Sequence, residues 1–332
     1  MFRRHAAAIL LVLSLVACDH APSQPASTKT PPHPILFNTP EADAVLSTLQ
    51  IFPKDNPWNE DISERPVHPD SAKIIETIGK DQRFRWNRDM PFVLVPPNQP
   101  RVPLEIAYKD ESDPGPYPIP DNVPLEGWPL CGVPLETIQR EGGGDRHTIV
   151  VDPAGMKLYE TFESFRTPKG WKVGSAAIFD LASNKIRPDG WTSGDAAGLP
   201  IFPAVVRYDE CARGMVEHAM RVTFRKTRRA YVYPATHYAS PHKDPYLPRM
   251  GERFRLRKDF DVSRFPPHVQ AILKGLKKYG MICADNGIDW AISTAHDARI
   301  QGLETLDDKA LHGRDFEVIV PTGPEEGPRM RR

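Results

Sequence analysis

His147-Thr148-Ile149-Val150-Val151, followed closely by Lys157-Leu158-Tyr159-Glu160-Thr161-Phe162, is the stretch on which the fold is decided. Both runs are dense in β-branched and aromatic residues, which suit a pleated, half-buried surface better than a helix. Further runs of this kind lie downstream: Ala177-Ile178-Phe179-Asp180-Leu181, Val216 to Phe224, Arg253 to Arg257, Met281 to Ala284 and Phe316 to Val320. In Val216 to Phe224 a strand places Glu217 and Arg221 on one face and His218, Met220 and Val222 on the other. In Arg253 to Arg257 it puts Phe254 and Leu256 inside and three arginines outside. The turn Asp285-Asn286-Gly287 reads first as a hairpin signal. One long helix is predicted, from Pro267-His268-Val269 to a stop at Gly280, with Val269, Ile272, Leu273 and Leu276 on one face.

Upstream the chain changes character. Twenty of the 36 prolines fall between Pro31 and Pro134, a density that forbids long helices and central strands. Trp58, Phe84, Trp86, Phe92, Tyr108, Tyr117 and Trp128 are interleaved there, more aromatic area than a linker carries, so the segment reads as an ordered wrap. Two short helices are predicted within it, from Thr39-Pro40-Glu41 to about Leu49 and over Ser71–Ile78 between Asp70 and Gly79. The expected fold is mainly β: an antiparallel two-layer β-sandwich, jelly-roll-like, with a few short helices.

The first residues give an address. Arg3, Arg4 and His5 precede an apolar run from Ala6 to Val16 that is too short to span a bilayer, and Leu15-Val16-Ala17-Cys18 follows. That run resembles the lipobox of bacterial lipoproteins, which implies cleavage before Cys18 and acylation of its thiol and amine. Several acyl chains give firm anchoring where one is marginal. The boundaries expected are a signal peptide over 1–17, a Pro/Ser/Thr-rich tether over 18–38, the wrap over 39–135, a β-rich body over 136–320 and a disordered tail over 321–332. The partner implied by Cys18 is a lipid bilayer, on the periplasmic side or at the cell surface.

Composition excludes several functions. The chain of 332 residues carries 43 basic and 43 acidic side chains, and so lacks the cationic excess of a general nucleic-acid binder. Its mean hydropathy of −0.46 excludes a polytopic membrane protein. GxSxG, HExxH, P-loop and GxGxxG motifs are all absent, as is the ExDxE pattern of many β-sandwich glycosidases. Cys131, Cys211 and Cys283 show no CxxC or zinc spacing, so no structural metal and no cofactor are implied. His237, His242 and Asp244 are too loosely spaced to define a metal site.

Several stretches form a recognisable set: Asn56-Pro57-Trp58-Asn59, Glu111-Ser112-Asp113-Pro114-Gly115-Pro116-Tyr117, Gly144-Asp145-Arg146-His147, the run from Gly190-Trp191 through Asp195-Ala196-Ala197-Gly198 to Pro203, and Tyr279-Gly280-Met281 with Asp285-Asn286-Gly287. Together they resemble a family of secreted, largely uncharacterised bacterial proteins sometimes found beside polysaccharide-degrading modules. The resemblance implies a glycan context and carries no established reaction or catalytic residue.

The candidate chemistry follows from polar residues on apolar strands and at strand ends. Glu160, Asp180 and Glu217 are either acid, base or nucleophile on a glycan, or structural partners of arginines. Arg221 is a candidate for neutralising a uronate in an elimination, with His237 or Tyr238, beyond a strand end, moving the proton. Trp191, with Asp189 and Asp195 on a glycine-punctuated loop, suits stacking on a sugar ring, or else plugs the core. Arg225 and Arg228, in a run of four cations in five residues, either steer an acidic polymer or form a solvated tip. The expected function is an envelope lipoprotein acting on polysaccharide as hydrolase or lyase; the alternative is a non-catalytic glycan- or cell-wall-binding lipoprotein.

Overall fold

The computed structural model describes residues 30–306 and 311–321. The signal peptide, Cys18, the tether up to residue 29 and the tail beyond residue 321 lie outside the described residues. In chain order, β1 (Ile35–Leu36) lies within the segment expected to be tether, the wrap contributes α1 (Pro40–Leu46), α2 (Ser71–Ile78), β2 (Arg85–Asn87), β3 (Val93–Leu94) and β4 (Leu104–Ile106), and α3 (Leu135–Arg140) spans its junction with the body. The body begins with β5 (Thr148–Asp152), β6 (Lys157–Phe162), β7 (Phe165–Thr167), β8 (Gly170–Val173) and β9 (Ser175–Asp180). It continues with α4 (Tyr208–Arg213), β10 (Met220–Phe224), β11 (Arg253–Leu256), α5 (Pro267–Lys278), β12 (Met281–Asn286), β13 (Ala291–Ser293) and β14 (Phe316–Val318).

These strands form three sheets, ordered β1-β3-β5-β6-β9, β14-β11-β12-β10-β13-β2 and β4-β8-β7. The first is a middle layer, and its alternation shows why. Ile149, Val151, Leu158, Ala177 and Phe179 enter the main core shared with the second sheet and α5, whereas Val150, Tyr159 and Ala176 pack with Trp171 and Val173 of the third sheet and with Tyr117 and Leu125 of the wrap. A strand with both faces covered carries continuous apolar residues, as β5 does.

Strand richness is as the sequence predicts, but the pairing is not purely antiparallel. The pairs β10–β12, β2–β13, β3–β5 and β4–β8 are parallel. β10 and β12 run parallel because β11 and α5 lie between them in the chain and carry it back across. For the last three the physical reason is the wrap, which threads β2, β3 and β4 beside strands far along the chain. Its aromatics are the anchors: Trp58, Phe84, Phe92 and Tyr117 are buried, and the Tyr117 hydroxyl donates to the Asp113 carbonyl at 2.8 Å.

Three local readings need correction. The strand expected over Val216 to Phe224 starts only at Met220, because Val216 docks its amide on the Ala271 carbonyl of α5; Glu217 therefore shares no pleat with Arg221. Arg253 and Arg255 do not point outward but are buried. Arg253 pairs with Glu60 and donates to the Pro57 carbonyl; Arg255 pairs with Glu317 and donates to the Ile62 and Ser63 carbonyls. Nor does Asp285-Asn286-Gly287 make a hairpin. It continues β12, and β12 and β13 flank β10 on opposite sides.

The short helices are locally determined. Thr39 accepts the Ala42 amide at 3.2 Å with Pro40 at the first helical position, and α1 ends at Leu46, a turn earlier than expected. At the end of α5, Gly280 takes a left-handed φ of 69°, which stops the helix and turns the chain directly into β12. No helix among the described residues is long and apolar enough to cross a membrane.

Candidate active site

Arg221 stands at the second position of β10 with every residue of that strand buried. Its Nε donates to Asp195 Oδ2 at 3.0 Å, its Nη2 donates to Asp195 Oδ1, and its Nη1 donates to Ser293 Oγ at 2.6 Å. Asp285 Oδ2 lies 4.0 Å from Nη2. Three neighbouring strands, β13, β10 and β12, thus set Ser293, Arg221 and Asp285 side by side around a fully buried Asp195.

A bulge puts Asp285 in place. Val222 pairs with Cys283 and Thr223 with Asp285, which leaves Ala284 without a partner on β10. Bulges of this kind re-aim side chains next to functional sites. The freed Ala284 carbonyl accepts the Ala197 amide at 3.0 Å, and Asp285 Oδ2 accepts the Ala196 amide at 3.3 Å. The loop carrying Asp195 is therefore stitched to the bulge.

The electrostatics follow from desolvation. Burial, with the nearby Asp195 charge, pushes the Asp285 carboxyl up to about 7 against the pull of Arg221. Its side chain is still 20% exposed, so solvent reaches it. Arg221 stays firmly charged, because the Asp195 pair outweighs burial. Glu160 is also pushed up to about 7, chiefly by burial. Asp89, in the β2–β3 connection, is raised to about 6 by burial and by Glu126, and its Oδ1 is buried without a hydrogen-bond partner.

 The charges of Arg221 and His147 oppose that rise at Asp89 without cancelling it.

A half-exposed aromatic ridge adjoins this cluster through the same loop. The His237 ring Nδ1 donates to the Ala196 carbonyl at 2.9 Å, which leaves Nε2 as the acceptor nitrogen of the neutral ring. Tyr238 stacks on His237 at 5.6 Å and on Tyr231 at 6.4 Å, and the Tyr231 hydroxyl donates to Asp189. Arg229 lies over the Tyr238 ring. Thr236 Oγ1 donates to the Trp191 carbonyl at 2.8 Å, so Trp191 is held beside the ridge. With Tyr108 and the loop from Lys109 to Glu111, Trp191 lines an open depression of about 600 Å³. Behind the indole, the buried Arg187 joins Asp113 of the wrap at 2.6 Å.

The structure thus brings together Arg221, Asp195, Glu160, Trp191, His237, Tyr238 and Asp189. It sets others apart. Asp180 pairs with Lys157 at 3.2 Å and accepts the Ala182 amide. Glu217 lines a separate cleft of about 440 Å³ with Arg207, Glu210, Arg213 and His218. Arg225 is exposed beside Asp289, and Arg228 bridges to His242. Glu160, though central, is fully buried and accepts the amides of Ile201 and Phe202 at 3.0 and 2.8 Å, so it fastens that turn. Asp285, Asp89, Glu126, His147 and Ser293 escaped the sequence reading as site residues. The only available signal was the joint presence of Asp145-Arg146-His147 and Asp285-Asn286-Gly287 among the quoted stretches, which meet here. No family model, curated protein or solved structure matches the chain.

Proposed function

We propose that the protein is an envelope lipoprotein, anchored through acylated Cys18, that cleaves a polysaccharide by glycosidic hydrolysis at the Asp285–Arg221–Asp195 cluster. One arrangement carries this reading: Asp285, a solvent-reachable carboxyl whose pKa burial raises to about 7, is tied by one loop to a half-exposed indole beside an open depression. General-acid catalysis needs a carboxyl with a raised pKa, and sugar rings stack on indole and phenol faces. Asp89, the second half-buried carboxylate that feels Arg221, is the partner proposed for Asp285, since glycosidic hydrolysis uses two carboxyl groups. Glu160 is spent on backbone amides and serves the turn rather than the substrate.

Arg221 has all three guanidinium nitrogens engaged inside the protein, which argues against its meeting a uronate directly. Arg229, exposed over Tyr238, is better placed to attract an acidic glycan. A second reading, non-catalytic glycan binding, is favoured by the Trp191–Tyr108 depression considered alone. The test is a panel of neutral and acidic glycans incubated with the full-length, detergent-solubilised protein. Hydrolysis gives new reducing ends without unsaturated uronate absorbance. That absorbance would point to elimination, and glycan retention without cleavage would point to binding.

A further inference from the structure

We propose that Glu126, Asp145 and His147 form a binding site for a divalent transition-metal cation, Zn²⁺ or Mn²⁺. Among the described residues, this is the one group of three His, Cys, Asp or Glu side chains whose donor atoms all lie within 4.8 Å of one another. The backbone builds it. The Glu126 amide donates to the His147 carbonyl at 2.9 Å, and Leu125 bridges to Thr148, so Glu126 lies across from His147 on paired chains. Asp145 is held two residues before His147 by Arg146. That guanidinium is turned inward to the Ser164, Glu141 and Ile138 carbonyls, so it neutralises neither neighbouring carboxylate.

The second observation is the imidazole itself. The His147 side chain is only 3% exposed, its Nδ1 is buried with no hydrogen-bond partner, and its Nε2 faces Glu126 Oε2 at 3.9 Å. That gap is too long for a hydrogen bond, but two donors each about 2.0–2.2 Å from a shared cation can span it. Neither ring nitrogen makes a hydrogen bond, which is costly for a buried imidazole; a cation at Nε2 would occupy that nitrogen and leave the proton on Nδ1. Among the described residues Glu126 has no ion-pair partner other than His147, and Asp145 has none. The Gly127 amide donates to the Asp89 carbonyl at 2.8 Å, which brings a further carboxylate alongside Glu126. One imidazole with carboxylates suits Zn²⁺ or Mn²⁺ better than Ca²⁺ or Mg²⁺, which prefer oxygen donors throughout. Exposed Asp145 leaves the site open to solvent, so the ion would keep at least one water.

This inference stands or falls independently of the glycan reading, because its readout is binding. Full-length protein without a polyhistidine tag is stripped with chelator and titrated with Zn²⁺ and with Mn²⁺ by calorimetry. One equivalent of either per chain is expected, with Asp145→Asn and Glu126→Gln each weakening binding about tenfold or more. Asp145 is exposed and its side chain makes no hydrogen bond or ion pair among the described residues, so the Asp145→Asn protein should melt like the wild type and keep the comparison fair. Absence of uptake by folded, stripped wild-type protein would overturn the site, and so would equal binding by wild type and both variants.

Discussion

Arg221 and Asp195 form an ion pair that neither partner can leave without a penalty. Asp195 is wholly buried, and the bidentate contact with Arg221 supplies the charge that burial demands. Replacing Arg221 by Met strands a buried carboxylate and should cost about 3–5 kcal/mol in chemical denaturation, whereas adding Asp195→Leu should restore most of the loss. Asp285 makes a different prediction. Its carboxyl rises from 3.8 unfolded to about 7 folded, so the folded state holds the proton more tightly. The stability this contributes is full below about pH 4 and is lost as the pH climbs through about 7. Urea melts across that window should show wild type losing stability relative to Asp285→Asn; parallel curves would contradict the assignment. Of the residues that sequence reading found here, Arg221 and Glu160 stood out as polar side chains on apolar strands, and Asp195 through its glycine-punctuated loop beside Trp191. Asp89 and Glu126 carry neither signal, because both lie in loops whose surroundings are assembled from distant parts of the chain.

The informative elements are β10, β12 and the loop they hold. Density of β-branched and aromatic residues made β5, β6 and β9 legible. Alternation misled at Val216 to Ala219, where the Val216 and Ala219 amides donate to the Ala271 and Trp58 carbonyls and no strand pairs. It failed at Asp285, because Asn-Gly is a hairpin signal only if the following strand pairs back, and here β10 intervenes. The arginines of β11 were read as outward for want of visible partners. Glu60 and Glu317 reach them from 193 and 62 residues away. Gly198 ties this scale to the site. It has a φ of 71°, and a Cβ there would strike Thr236 and the Trp191 carbonyl. Gly198→Ala should therefore cost roughly 2 kcal/mol or more in thermal unfolding and loosen the loop that joins Trp191 and His237 to Asp195. Unchanged stability with unchanged glycan binding would show that the loop is not the joint proposed.

At the level of the whole molecule, the wrap is part of each sheet. β3 pairs with β5, β2 with β13 and β4 with β8, so a chain limited to residues 136–320 would bare three strand edges and lose Trp58, Phe84, Phe92 and Tyr117 from the cores. Such a fragment should give poorly dispersed NMR spectra; a well-dispersed, cooperatively melting fragment would refute the interwoven picture. Sequence analysis recognised the wrap as ordered from its aromatics, but strands of two or three residues among prolines carry no period to read. The same weave brings the Glu111–Asp113 segment, the Trp191 loop and the Asp285 bulge to one region, and the proposed activity depends on that meeting. The most direct measurement compares wild type with Asp285→Asn on the glycan that wild type cleaves, by release of reducing ends and by retention on the immobilised glycan. The expected result is a fall in cleavage of about 100-fold or more with retention unchanged. Equal cleavage by the two proteins, or no cleavage of any glycan by the wild type, would contradict the account.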